Sequence, residues 1–174
     1  MINSIYALPL KSILAMIVVG LLLWSWLRTK LNNRIWQTVN LCLLVFSLAS
    51  VLYLTIFDRS GGNYEVLLRP FTLLEKAQEQ PELYRAMLMN VFLFSPLGLT
   101  LSNVLPQKWS RWGRIAATTL FGCLLSVGIE YAQYRFALGV AETDDVLCNT
   151  LGAFLGACSL LIAYGMERVQ KKMK

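Results

Sequence analysis

The sequence predicts an all-α fold, a polytopic membrane bundle of about five transmembrane helices, on three observations. The 174-residue chain is 56% hydrophobic and only 15% charged, against about 25% charged residues in soluble domains. Its mean hydropathy is +0.54. Its apolar residues fall into long runs with polar breaks, each approaching the roughly 20 residues that a spanning helix needs. The size suits one membrane domain over residues 1–174.

Composition also excludes. The chain has no histidine, which removes His-based catalytic triads, His zinc sites and a histidine pH switch. Cys42, Cys123, Cys148 and Cys158 stand singly inside apolar runs, without CxxC or metal spacing. They read as small apolar fillers, and no metal or cofactor is expected. The net charge of +6 does not point to nucleic acid, because no basic stripe with interleaved aromatics stands out. The Lys and Arg sit between the runs, where they set topology and meet anionic headgroups. Membrane lipids are the expected surroundings of a multi-pass protein of the cell membrane.

The first run is Tyr6 to Leu27. Lys11 near its start reaches the interface by snorkelling, and Trp24 and Trp26 fit an aromatic belt at its end. No A-x-A cleavage pattern follows, so an uncleaved span is expected. The second run is Val39 to Phe57, without a charge. The third is about Ala86 to Leu105, with Asn90 near its start and Pro96 inside it. The fourth is about Ile115 to Phe136, and the fifth about Asp145 to Met166.

Between spans two and three lies the one long loop, Asp58 to Arg85. "SGGNY" in it signals a turn. "LLRPFTLL" is apolar with one Arg and reads as an interfacial or re-entrant piece. Pro81 before "ELYRAM" suits the first turn of helix three. Counted on alternate sides, Lys and Arg divide ten against six. The positive-inside rule then expects the N-terminus outside and the C-terminus inside.

That topology gathers the polar residues. Asn90 starts helix three, Glu130 lies six residues before Phe136 and about 9 Å from the end of helix four, and Asp144, Asp145 and Asn149 open helix five. With Arg69 of the loop and Gln133, all fall in the expected outer half. Ser126, Glu130 and Gln133 are spaced i, i+4, i+7, as are Asp145, Asn149 and Gly152, so each set shares a helical face. Gly122 with Ser126, and Gly152 with Gly156, make small-xxx-small pairs that let helices approach closely. A carboxylate facing lipid is expensive, so Glu130 should face the bundle interior or a wet cavity. Packing roles compete with this reading. Asn90, Gln133 and Asn149 also serve as interhelical hydrogen-bonding groups, and Asp144 and Asp145 as cap and first-turn acid. The Pro96–Gly98 pair also reads as a kink.

"MNVFLFSPLGLTL" (Met89 to Leu101), "LSVGIEYAQYRFALG" (Leu125 to Gly139), "ETDDVLCNTLGAFLG" (Glu142 to Gly156) and "LLRPF" (Leu67 to Phe71) resemble, in order and spacing, the VanZ-like family of bacterial membrane proteins. Residues 67–156 form the VanZ-like core. The family piece usually reads Asn-Leu-x-Pro-Phe, and Arg69 fills its variable slot. Glu142 stands where Asp is common. The resemblance implies an envelope role, with low-level resistance to glycopeptides such as teicoplanin.

Two classes of function follow. In the first, an outer-leaflet site holds an amphipathic envelope molecule, a lipid-linked cell-wall precursor or the lipid tail of a lipoglycopeptide antibiotic. An apolar groove takes the chain; Arg69, Asn90, Glu130, Gln133, Asp144, Asp145 and Asn149 take polar groups. The alternative is a membrane enzyme modifying a lipid-linked cell-wall precursor, with Glu130 and Asp145 as an acid/base pair or as ligands of a hard cation such as Mg²⁺. No nucleophile–base motif or phosphate loop supports it.

Overall fold

The computed structural model describes residues 10–58, 65–77 and 79–173. Five segments in it are long and apolar enough to cross a membrane: Lys11–Arg28, Asn33–Phe57, Glu82–Val104, Arg111–Arg135 and Thr143–Lys172. The expected helical bundle is therefore observed. The turn expected at Ser60 to Tyr64, Arg59 and the start of the first run before Leu10 lie outside the described residues.

Helix α1 covers Leu10–Arg28 and α2 covers Asn33–Leu52. The Asn32 side chain caps α2 by accepting from the Ile35 N–H at 2.9 Å, which satisfies one of the helix's orphan donors. The helix then continues as a π-helical turn, Tyr53–Phe57. Next come a two-residue strand β1, Val66–Leu67, and a one-turn helix α3, Thr72–Lys76. Helix α4, Pro81–Val104, starts five residues before the expected Ala86, with Pro81 in its first turn as anticipated. The hydropathy boundary marks where a membrane ends, and "ELYRAM" continues the helix beyond it because those residues tolerate helix well. Asn90 consequently sits more than two turns inside α4.

Helix α5, Arg111–Arg135, is capped by Ser110, whose hydroxyl accepts from the Gly113 N–H at 3.0 Å. Strand β2, Ala141–Glu142, pairs in parallel with β1, Val66 opposite Ala141 and Leu67 opposite Glu142. The fifth run forms two helices, α6 (Thr143–Ala157) and α7 (Ser159–Lys172), joined at Cys158.

Helix α4 is the hub, packed against α1, α2, α5 and α6. Its closest neighbour is α6. A Cβ at Gly98 would run into the Ala153 backbone, one at Gly152 into the Val91 carbonyl, and one at Gly156 into the Ser95 carbonyl and the Leu99 amide. The two backbones touch because these positions have no side chain. Gly122 of α5 meets the Ala153 methyl on the other side of α6, so the small-xxx-small pairs lie where helices approach most closely. Around this contact, Leu44, Val51, Phe94, Leu97 and Ile129 make one apolar core, and Ile13, Ile17, Val91 and Cys148 another. Val45, Phe46 and Leu124 point outward. Lipid tails are as apolar as these side chains, so burial drives association weakly, and close packing and hydrogen bonds hold the bundle.

Candidate functional site

Helix α5 ends through Ala137, whose φ of 50° is left-handed. The Leu138 N–H turns back to the Gln133 carbonyl at 2.9 Å, a closure that satisfies an orphan helical carbonyl. The chain then returns along the bundle end to β2. There the Ala141 N–H donates to the Glu65 carbonyl at 3.0 Å, which ties the long loop to the start of α6. The same return places the Glu142 amide over α5, where it donates to Glu130 Oε2 at 2.9 Å. Glu130 is 8% exposed, a burial in keeping with the cost of a carboxylate exposed to lipid.

Asp144 reaches further. It is 3% exposed. Its Oδ1 accepts from the Phe71 N–H at 2.5 Å and its Oδ2 from the Leu73 N–H at 2.6 Å. Phe71 has a φ of 65° and no side-chain oxygen with which to cap α3. Asp144 supplies that cap from the first turn of α6, some seventy residues along the chain. Such charge-assisted bonds to helix-start amides are short and strong. Of the two roles the sequence suggests for Asp144, the cap is of another helix, α3, and not of its own, and Glu142 at the start of α6 makes no side-chain cap.

The remaining residues pair between helices. Asn90 Nδ2 of α4 donates to Asp145 Oδ1 of α6 at 2.7 Å. Asn149 Nδ2 of α6 donates to Ser126 Oγ of α5 at 2.9 Å. Gln133 Nε2 of α5 donates to the Thr55 carbonyl at 2.9 Å, inside the π-helical turn of α2. Among the described residues, Gln133 Oε1 and Asn149 Oδ1 are buried without a hydrogen-bond donor. Arg69 lies apart on the rim: its side chain is 77% exposed and pairs with Glu75 at 3.2 Å.

Glu130 opens on a groove of about 350 Å³ between α5, the start of α6 and the β1–β2 pair. Its walls include Val66, Leu68, Tyr131, Tyr134 and Val146, with Glu142 and Thr143. Asn90, Asp145, Asn149 and Arg69 do not line it. The structure thus brings the predicted polar residues to one end of the bundle, but distributes them over several helix contacts and leaves Glu130 in the groove. A largely apolar channel bordered by two acids, Glu130 and the less buried Glu142, can seat a hydrocarbon chain and orient one polar or cationic group. Among the described residues, no set of three or more acids or cysteines is arranged to hold a metal ion.

Sequence reasoning missed Thr55 and Thr143, and met Glu142 only as a motif position. Their contributions run largely through backbone groups, which leave no residue-type signal. The π-helical turn has none either, although such turns recur at functional sites.

The fold and this polar end define a multi-pass helical membrane protein. A family profile described as VanZ/LLP1 matches residues 12–164. Protein VanZ of Enterococcus faecium is 31% identical over 140 residues, covering 76% of this chain and 77% of that protein. The chain belongs to the VanZ-like family. The match extends well beyond the Leu67 to Gly156 stretch that carries the motifs. No solved structure matches it.

Proposed function

We propose that this protein sits in the bacterial cell membrane with its N-terminus outside and binds an amphipathic envelope molecule in the Glu130 groove. The ligand class is a lipid-linked cell-wall precursor or the acyl tail of a lipoglycopeptide, and the outcome is a contribution to glycopeptide resistance of the teicoplanin type. One observation carries the reading: a carboxylate 8% exposed lies in a groove otherwise walled largely by apolar and aromatic side chains. Membership of the VanZ-like family supports the envelope role, and the ten-to-six division of Lys and Arg supports the orientation. Leu68 and Phe71, 78% and 57% exposed, give the loop beside the groove an apolar surface suited to the membrane interface. No separate observation favours acid/base catalysis, since Asp145 accepts from Asn90 and does not share the groove with Glu130.

The test is teicoplanin susceptibility of cells expressing Glu130→Gln, with membrane levels matched by blot. Gln keeps the shape and can still accept from the Glu142 amide, so the variant should fold. The expected result is loss of the resistance contribution. Full resistance in Glu130→Gln would reject a role for the charge.

A further inference from the structure

The opposite end of the bundle carries a second cavity, about 660 Å³, that the Glu130 reading does not use. It lies where α1 ends, α2 begins, α4 ends and α5 begins. Arg28, Arg111 and Arg114 converge on it, with Trp36, Trp109 and Tyr164. Arg28 lies over the Trp36 ring at 5.8 Å. The Tyr164 ring carries two guanidinium groups, Arg111 at 3.4 Å and Arg168 at 4.6 Å from its centroid. Arg114 is half-buried, and its Nε donates to the Ser102 carbonyl at 2.8 Å. Glu167 also lines the cavity. Among the described residues, however, no carboxylate comes within ion-pair distance of Arg28, Arg111 or Arg114. Aromatic faces hold Arg28 and Arg111 in place, and a carbonyl holds Arg114, but none of these neutralises the charge. Concentrated like charge in a concave site calls for an anion, and guanidinium forks suit phosphate.

A second groove tells what kind of anion. Trp112, 67% exposed, borders both the cavity and an apolar trough of about 500 Å³. The trough follows α5 through Ile115, Thr119 and Cys123 to Phe154. From Trp112 to Cys123 it runs about 16 Å along the helix, the direction an acyl chain takes from a headgroup into the bilayer. A charged cavity that shares its Trp112 wall with an apolar trough fits a molecule with a phosphate head and a hydrocarbon tail.

We infer that this end of the bundle is a binding site for an anionic phospholipid, with Arg28, Arg111 and Arg114 on its phosphate and Trp112 at the turn between headgroup and chain. Under the proposed orientation the site faces the cytoplasmic leaflet, but the inference rests on neither that orientation nor the Glu130 groove.

The experiment is native mass spectrometry of the protein released from vesicles of equal phosphatidylglycerol and phosphatidylcholine, reading which lipid stays bound. The wild type should retain phosphatidylglycerol preferentially. Arg111→Gln should weaken that preference about fivefold, and Arg28→Gln with Arg111→Gln about 25-fold, from roughly 1 kcal/mol per basic residue near an anionic surface. Arg111 is exposed, so the single variant should fold and keeps the test valid if the double variant does not. Lys171→Gln with Lys172→Gln removes as much charge near the same end but outside the cavity, and should leave the preference intact. Equal retention of the two lipids, or an equal loss in the lysine variant, would overturn the site. Displacement of the lipid by inorganic phosphate or glycerol phosphate would overturn the lipid assignment in favour of a soluble phosphate.

Discussion

The two ends of the bundle satisfy their charges in opposite ways. At the end bearing Glu130, acids turn inward and accept from this chain's own donors: Glu130 from the Glu142 amide, Asp144 from the Phe71 and Leu73 amides, Asp145 from Asn90. At the other end, Arg28 and Arg111 lean on Trp36 and Tyr164. The first arrangement fixes structure: a buried acid with several amide donors ties a loop to a helix, and most of these acids are committed to that. The second leaves positive charge to be met from outside. Burying a polar group is therefore weak evidence for a binding role by itself. What separates Glu130 from Asp144 is the groove, since both are buried and hydrogen-bonded and only Glu130 lines it.

The contrast breaks most completely at the α4–α6 contact. Gly152 lies against Val91, next to Asn90 and its bond to Asp145. Gly152→Leu should force the two backbones apart, costing more than about 4 kcal/mol, and folded protein should be lost from membranes and from size-exclusion profiles. Gly128→Ala, in a helix with nothing within 4 Å of the added Cβ, should leave both unchanged.

A smaller and more selective effect is expected at Asp144. Asp144→Ala removes two charge-assisted bonds, each worth roughly 1.5–3 kcal/mol. The loss should be confined to one end. Hydrogen exchange should rise in residues 65–77, where α3 loses its cap. All five tryptophans, Trp24, Trp26, Trp36, Trp109 and Trp112, lie toward the other end, so their emission should stay as in the wild type. A change in tryptophan emission equal to the change in exchange would show that the ends are not separable.

How much of this was legible follows from the range of each signal. The five spans were, because a long apolar run with at most two charges has no soluble alternative in so greasy a chain. The inward face of α5 was, because Ser126, Glu130 and Gln133 repeat at helical spacing. The close approach of α6 was, from Gly152 and Gly156. The role of Asp144 was not, since a carboxylate capping a helix some seventy residues away looks in sequence like an N-cap of its own helix. The β1–β2 pair was not, because two residues are too few to show alternation. The early start of α4 and the break of the fifth run at Cys158 were hidden because hydropathy registers the membrane and not the helix end. Arg69 was drawn into the predicted site by its place in the long loop on the same expected side, and loop position says nothing of side-chain direction.

The central claim is that the Glu130 groove holds an amphipathic ligand and that the charge is part of the binding. It is tested most directly by titrating the purified protein in nanodiscs with a fluorescent lipid-linked cell-wall precursor and with acyl-tailed teicoplanin. The account predicts saturable binding of at least one of them, weakened about tenfold or more in Glu130→Gln, as expected when a charged hydrogen-bonding group worth at least roughly 1.4 kcal/mol is lost. Binding of equal strength in the wild type and Glu130→Gln, or no saturable binding of either probe to the wild type, would contradict it.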